Sequence, residues 1–100
     1  MTKTLIELWQ TGCEECEAAK PIVAELSKEG FVFERFDIES SEGKKVWDEY
    51  FAEIDDFSKK QGQETGYIYT PTFVNPKTRK VLVYFDRPPK KEELIQLVEE

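Results

Sequence analysis

The stretch "ELWQTGCEECEAAKP", residues 7 to 21, changes its periodicity in the middle and contains both cysteines of the chain. Before it, "TLIELW" (residues 4 to 9) is rich in apolar and aromatic side chains and runs into Gly12, as a buried strand ending at a turn does. After Cys13 the apolar positions are Cys16, Ala19, Val23 and Leu26, with Ile22 beside them, which is helical spacing. Glu29-Gly30 supplies the stop, with glycine at a C′ position. Cys13 is therefore expected at a helix start.

Working outward, "FVFERFDI" (residues 31 to 38) is aromatic and β-branched and reads as a second strand, parallel to the first through a right-handed crossover. Ser40 or Ser41 can cap a second, long helix whose Val46, Trp47, Tyr50, Phe51, Ile54 and Phe57 share one broad face. "KKQGQETG" (residues 59 to 66) reads as a polar, mobile loop. "YIYTPTFVN", "PKTRK" and "VLVYFD" read as strand, turn and strand, with Asn75-Pro76 opening the turn and Pro71 at the entrance of its strand. "RPPKKEELIQLVEE" closes the chain as a helix with Leu94, Ile95, Leu97 and Val98 as its buried stripe. The expected order is βαβαββα: an α/β single domain spanning residues 1–100, with a mixed four-stranded sheet flanked by helices.

Composition narrows the function. The 21 acids outnumber the 14 bases for a net charge of −7, which argues against nucleic acid or an anionic membrane as partner, since both need a cationic surface. No apolar run approaches the ~20 residues of a membrane helix, and Met1-Thr2-Lys3-Thr4 leads straight into the first strand without a signal-peptide pattern. A cytoplasmic protein is the simplest expectation. In a reducing cytosol, a lone close cysteine pair points to redox chemistry or metal binding rather than a structural staple.

A thiol attacks disulfides as the thiolate, and an isolated thiol with a pKa of about 8.5 is mostly protonated at neutral pH. The free N–H groups at a helix start favour an anion there, and two intervening residues place the second sulfur within disulfide reach. Cys13 is then the outer, attackable sulfur, and Cys16, one turn in on the apolar face, is the resolving one. Zinc is a rival, but two cysteines are half a tetrahedral site, and with no histidine the rest must come from carboxylates or a second chain. An iron–sulfur cluster would need four thiolates, hence a dimer.

The segment resembles the active-site segment of the thioredoxin-like superfamily. Glu7 and Trp9 stand before the pair, Pro21 follows eight residues after Cys13, where that family kinks its helix, and "TPT" (residues 70 to 72) is similar to the segment carrying the family's cis-proline. The resemblance covers most of the chain and approaches the compact glutaredoxin-like form. It implies a thioredoxin-like fold and a thiol–disulfide oxidoreductase using the CEEC dithiol on protein disulfides. It also implies an upstream dithiol or glutathione as reductant and no bound cofactor.

Catalysis would fall to Cys13, Cys16 and Glu7, and substrate contact to Trp9, Gly12, Thr70 and Pro71, with Thr70 offering its backbone N–H and C=O to the substrate chain. For Glu7, a second reading is a solvent-facing position on an alternating strand; for Pro71, a trans bond beginning an edge strand.

The pattern departs from the family in several places, including Glu7 where the family usually has Asp and a longer interval from Cys13 to Pro71. Glu14-Glu15 replaces the usual Gly-Pro or Pro-Tyr between the cysteines, and neighbouring negative charge disfavours a thiolate, tilting the couple toward reductant. Acids in a first helical turn also stabilise the helix whatever the redox state. Gly12 stands where thioredoxins have a tryptophan. "FDRPPKKEE" stands where glutaredoxins have Gly-Gly-Asp, leaving Asp86 and Arg87 as a poor counterpart for a glutathione tripeptide. The functional alternative is a non-catalytic redox sensor or interaction domain, since fold does not settle function.

Overall fold

A computed structural model describes residues 3–64, 66–85 and 87–99. Their elements run β1 (Lys3–Trp9), α1 (Glu14–Lys28), β2 (Phe31–Asp37), α2 (Ser41–Glu49), α3 (Phe51–Lys60), β3 (Thr72–Val74), β4 (Val81–Val83) and α4 (Lys91–Glu99). The fold is α/β, with one open, mixed sheet in the order β2-β1-β3-β4. β1 pairs in parallel with β2, from Lys3 opposite Phe31 to Trp9 opposite Asp37, and antiparallel with β3; β4 is antiparallel to β3.

Because strand side chains alternate, β1 serves both faces of the sheet. Leu5 joins Ala19 and Leu26 of α1, Leu94 and Leu97 of α4, and Phe31 and Phe73 in one apolar cluster. Ile6 and Leu8 join Tyr50, Ile54, Val74 and Val83 in a second, under α2 and α3. Glu7, in register with Leu5, therefore lies on the α1 side. Each fully buried Leu or Phe in these layers contributes roughly 1.5–3 kcal/mol relative to exposure.

Local signals place the helix ends. Cys13 caps α1, Ser40 caps α2 by accepting from the Gly43 N–H at 3.0 Å, and Gly30 follows α1 with φ +97°. Pro21 sits inside α1 on its exposed side, where the Glu17 carbonyl left without an N–H can meet water.

The structure corrects three expectations. The second helix is two: it breaks at Tyr50, whose φ −107° and ψ 15° end α2 and precede α3. Lys59 and Lys60 belong to α3, so the loop read from residue 59 begins at Gln61. β3 starts only at Thr72 and β4 ends at Val83, both shorter than read. Pro71 has no N–H for the ladder. Among the described residues, no helix is long and apolar enough to cross a membrane.

Candidate functional site

β1 delivers the chain to a turn in which Gly12 has φ +80° and a Cβ would meet nothing within 4 Å. Glycine is required there by backbone conformation, not by lack of room. Cys13 follows as N-cap, with φ −91° and ψ 111°. Its Sγ accepts the Cys16 N–H at 3.0 Å, and its carbonyl accepts the Glu17 N–H at 3.1 Å. Cys13 and Cys16 are joined by a disulfide with Cα atoms 5.2 Å apart, inside the usual range for such a bridge. Cys16 is 3% exposed and Cys13 half-exposed, so Cys13 offers the sulfur a partner can reach.

From across the sheet, the segment before β3 reaches the same sulfur. The Thr70 carbonyl oxygen lies 3.5 Å from Cys13 Sγ, and the Thr70–Pro71 peptide bond is cis. The Pro71 carbonyl accepts from the Tyr84 N–H at 3.2 Å, and the Thr72 hydroxyl donates to the Tyr69 carbonyl at 2.6 Å, so this segment is held against β4. A bridged sulfur carries no proton, and its approach to Thr70 is a packing contact. In the reduced pair the two neighbours act in opposite directions. The Cys16 N–H favours a Cys13 thiolate, whereas the Thr70 carbonyl favours the protonated thiol as a donor.

Glu7 is fully buried, which removes the solvent-facing reading of that residue. Arg35 Nε donates to its Oε1 at 2.7 Å, while Oε2 has no hydrogen-bond partner among the described residues. Loss of water pushes the Glu7 carboxyl up from the ordinary carboxylate range; the hydrogen bond and charge of Arg35, and the charge of Lys20, pull back less strongly. Arg35 also lies over the Trp9 ring, 5.4 Å from its centroid. Trp9 thus carries the cation that serves Glu7, in addition to any contact with a substrate. Sequence reasoning missed Arg35. Its signal was a lone cation in an aromatic strand, directly opposite Glu7 once β1 and β2 pair in parallel.

Glu14 is exposed and Glu15 half-buried, and neither has an ion pair or hydrogen-bond partner among the described residues. Glu17 in the same turn is paired with Lys20 at 2.8 Å. Arg87 is committed to Glu93, with nitrogen–oxygen distances of 2.9 and 2.7 Å, and lies over the Tyr84 ring; Asp86 falls outside the described residues. Among the described residues, no group of three or more Cys, Asp or Glu side chains is gathered to hold a metal ion. Searched against family models and against curated proteins, the chain matches none.

Proposed function

We propose that the chain is a thioredoxin-like thiol–disulfide oxidoreductase that reduces protein disulfides in the cytoplasm. The observation that carries this reading is the asymmetry of one bridged pair: a reachable Cys13 sulfur, capped by the Cys16 N–H and touched by the Thr70 carbonyl, in front of a buried Cys16. Such a pair suits nucleophilic exchange, because the attacking sulfur must be accessible and the resolving one close but protected.

In the forward direction the Cys13 thiolate attacks one sulfur of a substrate disulfide; a new S–S bond forms, and the other substrate sulfur leaves as a thiolate that takes up a proton. Cys16, deprotonated, then attacks Cys13 Sγ, restoring the Cys13–Cys16 bond and releasing the second substrate thiolate. Two electrons pass from the dithiol to the substrate, and an upstream dithiol or glutathione must return them. The proton from Cys16 goes to Glu7, whose Oε2 is unpartnered and whose strand position faces α1. A carboxyl raised by burial is matched to that transfer. Thr70 lies beside Cys13, where a substrate chain would run, and its backbone groups suit strand-like pairing, while Pro71, whose carbonyl is taken by Tyr84, shapes the segment.

Replacing the resolving thiol tests this directly. Cys16→Ser should arrest the mixed disulfide and retain a protein covalently on Cys13, and the wild-type chain should turn over insulin disulfides with dithiothreitol as reductant. A wild-type disulfide that is reducible but catalyses no insulin reduction would leave the sensor reading in its place.

A further inference from the structure

The inference concerns which disulfides this site accepts, and it rests on the exchange chemistry proposed above. The reacting partner's position is fixed, since its sulfur must come into line with Cys13 Sγ. Whatever flanks that sulfur meets the first turn of α1 on one side and the segment before Pro71 on the other. The charges on the first side are unbalanced. Among the described residues, Glu14 and Glu15, the two residues after the attacking cysteine, form no ion pair, while Lys20 is committed to Glu17 and Arg35 to Glu7. In the adjoining turn, Gln10 reaches toward the Glu39 carboxylate, 3.5 Å away, so a further acid borders the same rim. On the second side stand two of the few large apolar side chains left in water, Tyr67 at 60% and Ile68 at 43% exposure, within three residues of Thr70.

We propose that Glu14 and Glu15 determine specificity, selecting disulfides whose flanking groups are cationic and disfavouring anionic ones such as oxidised glutathione. The physical basis is long-range and additive. Each carboxylate attracts a substrate ammonium and repels a substrate carboxylate in the encounter and in the transition state alike. At low salt the Debye length of about 30 Å lets both charges act on a substrate anywhere over the sulfur; near 1 M it falls to about 3 Å and the selection disappears. This selection is separable from any influence of the same acids on the Cys13 thiol, because thiolate population scales all disulfides equally and cancels in a ratio.

The test uses the pre-reduced full chain and three small disulfides at constant pH: cystamine (dication), bis(2-hydroxyethyl) disulfide (neutral) and dithiodipropionate (dianion). Each rate is divided by that of dithiothreitol with the same disulfide, to remove leaving-group differences. Cystamine should exceed dithiodipropionate by about tenfold or more near 10 mM ionic strength, and the ratio should collapse toward one near 1 M salt. Glu14→Gln with Glu15→Gln should collapse it at low salt. A ratio near one in the wild type, or one that survives the double substitution, overturns the inference while exchange with the neutral disulfide upholds the oxidoreductase reading. No exchange with the neutral disulfide overturns both.

Discussion

At the scale of single residues, Glu7 sets an unusual balance. One carboxylate oxygen is bound by Arg35 and the other is buried without a partner among the described residues, so the net effect of the fold is to favour the protonated acid. Folding then takes up a proton once the pH passes the ordinary value of 4.5. The stabilising contribution is complete below that value and is lost as pH rises through the higher folded value. Glu7→Gln keeps an oxygen for Arg35 and cannot titrate. The stability of the wild type relative to this variant should therefore fall with rising pH and then level off, measured by urea unfolding of the oxidised proteins; a pH-independent difference counts against burial as the cause. If Glu7 accepts the Cys16 proton, the same variant should slow resolution of the mixed disulfide by about 10²-fold at neutral pH, read in single-turnover kinetics. Arg35→Met has the opposite logic. It strips the hydrogen-bond donor from a buried acid and should cost about 2 kcal/mol at neutral pH, with the loss shrinking at acid pH as Glu7 protonates.

At the scale of elements, two contacts determine shapes that the local sequence did not reveal. The break at Tyr50 has no glycine or proline to announce it. What meets the break comes from the β3–β4 turn, where Arg79 donates Nη2 to the Glu49 carbonyl at 2.8 Å, pairs with the Glu49 and Glu53 carboxylates and lies over the Tyr50 ring. A carbonyl that a continuous helix would have kept is taken by a cation about thirty residues away. No periodicity can register that. The cap and stop signals of α1 and the cap of α2, by contrast, were legible, because Cys13, Gly30 and Ser40 act on their own backbone. Gly43 is the second contact. A Cβ there would strike the Asp37 carbonyl, so α2 packs backbone to backbone on the end of β2. Gly43→Ala should destabilise the protein by about 2–3 kcal/mol in chemical denaturation despite its better helix propensity; unchanged or greater stability would show that α2 can lift away freely.

At the scale of the whole molecule, the candidate site is an intersection of three distant segments: the β1–α1 turn, the Thr70–Pro71 bend and the Glu7–Arg35 pair. The first was legible because both sulfurs lie within four consecutive residues, and the second through its proline. The third needed the register of two strands, which places Arg35 opposite Glu7 only after pairing is known. The β1–α1 turn has supports apart from the disulfide, since β1 is held by apolar layers on both faces and α1 is anchored through Ala19 and Leu26. The bridge joins residues only three apart in sequence, and so short a loop restricts the unfolded chain by about 2 kcal/mol at most. A domain of this size typically has about 5–15 kcal/mol in hand. Reduction should therefore leave a folded chain that unfolds in one cooperative step, less stable by no more than about 2 kcal/mol and with an unchanged urea dependence, compared with and without dithiothreitol. A reduced form lacking near-ultraviolet circular dichroism would instead make the disulfide a structural staple. An oxidoreductase cannot work that way, because its dithiol must persist, folded, between one substrate and the next.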